Sequence, residues 1–82
     1  MLEIEFISEE KRAVAYIDNK EIGECCFIEN DDVWNIIHTY VNEEYQGRGI
    51  ARKLVLFIQD KAKDRNKKII AECSYAKKIL DC

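Results

Sequence analysis

Proline is absent from this 82-residue chain, and glycine and histidine are scarce, at Gly23, Gly47, Gly49 and His38. Without proline and with so little glycine there is no stiff or flexible linker, and no low-complexity tract. A single histidine and no C-x-x-C pair exclude a zinc site of familiar spacing, so no metal is expected. An excess of positive charge is also missing: 13 basic side chains face 16 acidic ones, a net charge of −3. Bulk electrostatic attraction to nucleic acid needs the opposite balance, so no nucleic-acid partner is expected. The apolar runs are only a few residues long, too short for a transmembrane helix. The opening Met1-Leu2-Glu3-Ile4-Glu5 has neither the basic nor the apolar region of a secretory signal. We therefore expect no membrane association and a cytoplasmic location. The four cysteines, two of them adjacent at Cys25 and Cys26, then read as reduced thiols rather than a disulfide scaffold.

What is present is 48% apolar and 35% charged residues, enough of the former to exclude wholesale disorder. The length predicts one domain, residues 1–82, in which most of the chain contributes to a single core. Leu2 to Ile7 alternates apolar and acidic residues, the period of a strand with one buried face. Ser8 to Arg12 reads as a turn and Ala13 to Ile17 as a second strand. Asp18-Asn19-Lys20 suits a tight hairpin. A third strand, Glu21 to Ile28, is expected to turn Ile22, Cys26 and Ile28 to the core. Glu24 would then share their side and must be paired or near an edge. After the polar turn Glu29 to Asp32, Val33 to Val41 is rich in β-branched and aromatic residues and is expected to be the central strand, buried on both faces.

Beyond Gly49 the period changes. Ile50, Leu54, Phe57, Ile58, Lys61 and Ala62 share one helical face, with Arg52, Lys53, Gln59 and Asp60 toward water. Asn66 is a possible C-cap in the basic stretch Asp64 to Lys68. Ile69-Ile70-Ala71 supplies a short strand, and Ser74 can cap a last helix in which Tyr75 and Ile79 share a face. Trp34, Ile36 and Phe57 read as core. The predicted fold class is α+β with a mixed sheet: an antiparallel meander of four strands, a right-handed β-α-β crossover and a short terminal helix.

The segment that carries chemistry is Tyr40 to Arg52. A hydrophobic strand enters a loop holding Gly47 and Gly49, and the loop opens directly into an amphipathic helix. Unpaired N–H groups and the helix dipole favour an anion there, the glycines allow close approach, and Arg48 and Arg52 add charge. This is a candidate cradle for phosphate or pyrophosphate. The dinucleotide fingerprint does not fit, because Arg52 stands where a third glycine or alanine belongs, and the lysine of a P-loop is missing. Glycine count alone also allows a tight strand-to-helix turn with no ligand.

The full string Gln46-Gly47-Arg48-Gly49-Ile50-Ala51 resembles the Gln/Arg-x-x-Gly-x-Gly/Ala signature of the GNAT superfamily of acyl-CoA-dependent N-acetyltransferases. The resemblance implies a minimal GNAT-like fold in which acetyl-CoA binds at Gln46, Gly47, Arg48, Gly49, Ile50, Ala51 and Arg52. Its pantetheine arm would lie between two splayed strands and bond the backbone of Thr39, Tyr40 and Val41. The chain is similar in particular to compact GNAT-like proteins with a His-Thr-x-Val strand and a Cys-Ser-Tyr segment, here His38-Thr39-Tyr40-Val41 and Cys73-Ser74-Tyr75. It departs from larger members in lacking the helices between the first two strands and the strands after the last helix. The resemblance implies acetyl transfer to an unidentified primary amine, on a small molecule or a protein, directly or through an acyl-cysteine at Cys73.

Tyr75 is the candidate acid for the departing thiolate and His38 the candidate base. Cys73 can equally be a small apolar residue closing a strand, Tyr75 a core aromatic, and His38 a hydrogen-bonded structural residue. Tyr45 is expected beside the loop. Lys61, Lys63, Lys67 and Lys68 form a solvated face or reach the adenosine 3′-phosphate. Cys25, Cys26 and Cys82 are given no role. Two other functions stay open, a non-catalytic coenzyme A-binding module and a small protein-interaction domain, in a monomer or weak homodimer.

Overall fold

The computed structural model describes residues 1–81, so Cys82 lies outside the described residues. Alternation sets the first strand, β1 (Leu2–Ile7), with Leu2, Ile4 and Phe6 packed on the core and Glu3 and Glu5 toward water. A single 3-10 turn, Ser8–Glu10, leads to β2 (Arg12–Ile17), which begins at Arg12, the residue expected to end the turn. Asp18 and Asn19 take left-handed backbone at φ 51° and 66°, which gives the two-residue hairpin the twist its strands need. They join β2 to β3 (Lys20–Asn30), and Asp31-Asp32 joins β3 to β4 (Val33–Val41).

The helix α1 (Ile50–Asp64) buries Ile50, Leu54, Val55, Ile58 and Ala62 against β2, β3 and β4. It ends in a paired C-terminal motif: Lys67 N–H reaches Ala62 O at 2.8 Å and Asn66 N–H reaches Lys63 O at 3.1 Å. Arg65 is the C-cap, and Asn66, at φ 57°, is the left-handed residue after it. The last strand β5 (Lys68–Ala71) and the helix α2 (Ser74–Leu80) complete the chain. The strand order is β1-β2-β3-β4-β5, antiparallel through β4 and parallel between β4 and β5. The α+β mixed sheet with two helices is the architecture expected. No helix among the described residues is long and apolar enough to cross a membrane.

Two expectations about facing are corrected, both by β-bulges. Ala15 pairs with Gly23 and Tyr16 with Glu21, so Ile22 is an extra residue in β3. Side chains alternate with a period of two, so one inserted residue exchanges the faces beyond it. Ile22 is buried, but it is Cys25 and Phe27, not Cys26 and Ile28, that continue its face; Ile28 is outside. Glu24 points away from the helices and is paired with the Arg12 guanidinium at 2.9 Å. The second bulge is in β4, where Cys26 pairs with His38 and Phe27 with Ile36, leaving Ile37 unmatched. Beyond it Val41 is buried on the helix side, while the Tyr40 side chain is exposed. The central strand is therefore β3, and β4 is buried on both faces only over Trp34, Asn35 and Ile36.

The core is closed at one end by a stack of Phe6, Phe27 and Trp34, with Phe27 and Trp34 ring centroids 4.2 Å apart. In so small a core a single cavity is costly. Leu54→Ala is expected to lose about 2–5 kcal/mol, the range for burying a void in place of a leucine. That is a large fraction of the stability of a small domain, and a drop in the urea midpoint at unchanged slope would register it.

Candidate functional site

The parallel pairing of β4 and β5 stops early. Val33 to Ile36 align with Lys68 to Ala71, and then the N–H groups of Glu72 and Cys73 both donate to Ile36 O, at 3.0 and 3.1 Å. With one carbonyl taking two donors, the ladder cannot advance, and the strands part. The bulge at Ile37 turns β4 to one side while Cys73 turns the chain into α2. Between them lies a cavity of about 480 Å³. Thr39 and Val41 line it from β4, Tyr75 from α2, and Tyr45, Gln46, Gly47, Gly49, Ile50 and Ala51 from the loop and the start of α1.

The loop is held by its own polar groups. The Asn42 side chain caps a 3-10 turn at Glu43–Tyr45 by accepting from Glu44 N–H at 3.0 Å. Gln46 Nε2 donates to Val41 O at 3.0 Å, tying the loop back to β4. The Arg48 guanidinium lies over the Tyr45 ring, 5.2 Å from its centroid. Gly47 and Gly49 have φ of 80° and 77°, backbone that a β-carbon disfavours. A Cβ at either position would meet no atom within 4 Å, so the space beside each is open to a ligand. No side chain caps α1, and its first bond runs from Lys53 N–H to Gly49 O at 3.1 Å. The N–H groups of Ile50, Ala51 and Arg52, the orphan donors of the first helical turn, are thus presented at the positive end of the helix dipole. These features fit a pyrophosphate.

Cys73 sits at the splay, with Sγ 3.6 Å from Thr39 Oγ1. Burial acts to raise its pKa, but hydrogen bonds from the Ala76 N–H, the Thr39 hydroxyl and the Tyr75 and Thr39 N–H groups outweigh it and bring the pKa below the ordinary thiol value. The other described cysteines move the opposite way. Burial pushes Cys25 up to about 12, and burial together with the Glu24 carboxylate pushes Cys26 up to about 11. Cys73 alone among them is biased toward the nucleophilic thiolate.

The structure brings together Thr39, Val41, Gln46, Gly47, Gly49, Ile50, Ala51 and Tyr75 around the cavity, with Cys73 against Thr39. Arg48 and Arg52 are exposed and do not line it. The Tyr40 side chain is outside on the far face of the sheet, so that residue can contribute only backbone. His38 is not brought in. It lies on the face opposite Thr39, 54% exposed, with Nε2 3.5 Å from Glu24 Oε2. The basic residues of late α1 are remote from the loop. Lys61 packs over the Phe6 and Phe57 rings, and Lys67 pairs with Glu29 at 3.2 Å. A helix of this length places them well over 10 Å from its start at ~1.5 Å per residue. Cys25, given no role from sequence, lies opposite Thr39 in register. The bulges that put it there have no marker in the local sequence.

The sequence matches the GCN5-related N-acetyl-transferase family over residues 12–82. Among curated proteins none matches. A GCN5-like protein from Staphylococcus aureus, solved by NMR, is 33% identical and superposes with a TM-score of 0.75 over 98% of this chain and 78% of that one. Ribosomal-protein-alanine N-acetyltransferase from Brucella melitensis shares the fold at 22% identity and a TM-score of 0.71, over 85% of this chain. N-acetylglutamate synthase from Neisseria gonorrhoeae, complexed with coenzyme A and N-acetyl-glutamate, does so at 20% identity and a TM-score of 0.68, over 74% of this chain. The chain spans 59% of the length of the Brucella enzyme and 15% of the Neisseria one. With the splayed strands, the uncapped glycine loop and a family match over most of its residues, the chain belongs to the GCN5-related N-acetyltransferases.

Proposed function

We propose that the protein binds acetyl-CoA in the gap between β4 and β5 and passes the acetyl group through Cys73 to a primary amine. The observation that carries this reading is the placement of Cys73. Its sulfur stands where the strands part, hydrogen-bonded to a residue that lines the cavity and biased toward the thiolate. Among the described residues, neither histidine nor a carboxylate side chain lines the cavity, whose titratable groups are Tyr45 and Tyr75. A thiol whose pKa is lowered reaches the nucleophilic thiolate more readily than an ordinary cysteine, which favours the covalent route over base-assisted attack by the amine.

Bound acetyl-CoA supplies an activated acetyl thioester. The N–H groups of Ile50, Ala51 and Arg52 hold its pyrophosphate, Arg48 and Arg52 add screened positive charge, and the open edge of β4 at Thr39 and Val41 bonds the pantetheine arm as a neighbouring strand would. The Cys73 thiolate attacks the acetyl carbon; the new sulfur–carbon bond forms as coenzyme A leaves as a thiolate, which the Tyr75 phenol protonates. A neutral amine then attacks the acetyl-cysteine, the Cys73 thiolate leaves, and the amine proton passes to solvent.

Calorimetric titration of the reduced protein with acetyl-CoA, and separately with coenzyme A, tests the reading together with intact mass after mixing. Binding in the micromolar range is expected, about −8 kcal/mol, with one added acetyl group on the protein. The affinity should fall as salt is raised, because phosphate recognition by exposed arginines is screened. Equal affinity for both ligands with no mass change would leave a coenzyme A-binding module. No heat with either would withdraw the site.

A further inference from the structure

Thr39 stands between two thiols. Its Oγ1 lies 3.6 Å from Cys73 Sγ on one side and 3.6 Å from Cys25 Sγ on the other. Cys25 is its register partner on β3 and has no exposed surface. A threonine hydroxyl carries one proton and two lone pairs, and the branched β-carbon restricts its rotation. The Cys73 S–H donates to this oxygen; an ionised Cys73 can only accept, and with Cys25 donating to one lone pair the hydroxyl proton is then left to point at the thiolate.

We propose that Cys25 and Thr39 form a positioning relay for the Cys73 thiolate: in the thiol form the Cys73 S–H donates to Thr39 Oγ1, and once that proton is lost the Cys25 S–H donates to Thr39 Oγ1 and the Thr39 O–H turns to donate to the Cys73 sulfur. The relay rests on the reading of Cys73 as the acetyl-accepting nucleophile. The proton lost by Cys73 goes to solvent, and Thr39 and Cys25 keep theirs. Cys25 is suited to the donor role because burial holds it neutral across the range in which Cys73 ionises. The groups that face Cys73 are the hydroxyl and N–H of Thr39 on β4, the Cys25 thiol on β3, and the N–H groups of Tyr75 and Ala76 on α2. The Tyr75 phenol is on the adjacent residue and lines the same cavity, and His38 is on the opposite face of the sheet.

The test is the pH profile of Cys73 alkylation by iodoacetamide in the full chain, located by peptide mass mapping, with no acetyl-CoA present. Thr39→Val keeps the shape of the side chain and removes the hydroxyl. It is expected to move the midpoint up by about half a pH unit or more, slowing alkylation at pH 7 by about threefold or more. Thr39→Ser is expected to restore the wild-type midpoint, and Cys25→Ala to shift it in the same direction by less. Circular dichroism checks that each variant is folded. An unchanged midpoint in folded Thr39→Val, or in folded Cys25→Ala, overturns the relay. A shifted profile in a protein that never becomes acetylated would refute the transfer function while supporting the relay.

Discussion

Gly49→Val is expected to abolish acetyl-CoA binding while the chain stays folded. Gly49 is the N-cap of α1 at φ 77°, a conformation that costs an L-residue roughly 1–2 kcal/mol and a β-branched one more. That strain lowers the melting temperature without unfolding the core, because a Cβ there meets no protein atom within 4 Å. The valine side chain instead enters the open space beside the loop, which the proposed function gives to the pyrophosphate. We expect affinity to fall by at least about 100-fold, or roughly 2.8 kcal/mol, as lost heat in calorimetry beside a cooperative melt. Gly49→Ala, with less backbone strain and a smaller group, should retain partial binding. Wild-type affinity in Gly49→Val would remove the loop from the ligand site.

Cys73→Ala is the second large effect. It should eliminate the acetylated protein from intact-mass spectra and reduce amine acetylation to background, while leaving acetyl-CoA binding near wild type because the loop donors are untouched. The wild-type acylation rate should rise with pH as Cys73 ionises and then level off. Because hydrogen bonds at the splay lower its pKa, the midpoint of that rise should lie below that of an ordinary thiol. Cys26→Ala is the control, since its thiol is held protonated and faces away from the cavity. Undiminished transfer by Cys73→Ala would establish direct attack by the amine and make Cys73 a packing residue.

These effects depend on features of unequal visibility. The period-two pattern of β1, the helical stripe from Ile50 to Ala62 and the turn residues Asp18 and Asn19 are local, and each is legible because its own side chains enforce the geometry. The glycine loop is legible for the same reason, since its left-handed backbone demands glycine at positions 47 and 49. The ligand proposed for it came from the family resemblance, because spacing alone left that open.

By itself, then, the amino-acid sequence determined the order of five strands and two helices and the presence of a strand-loop-helix segment turned by Gly47 and Gly49. It did not determine which side chains share a face. The extra residues Ile22 and Ile37 each reverse the alternation downstream, and a bulge is chosen by pairing across strands, not by the residues that form it. Tertiary structure therefore decided that Cys25 and not Cys26 enters the core, and that Thr39 and not His38 faces the splay. It also decided where β4 and β5 part, because the doubly bonded Ile36 carbonyl exists only once residues 36 and 73 are brought together.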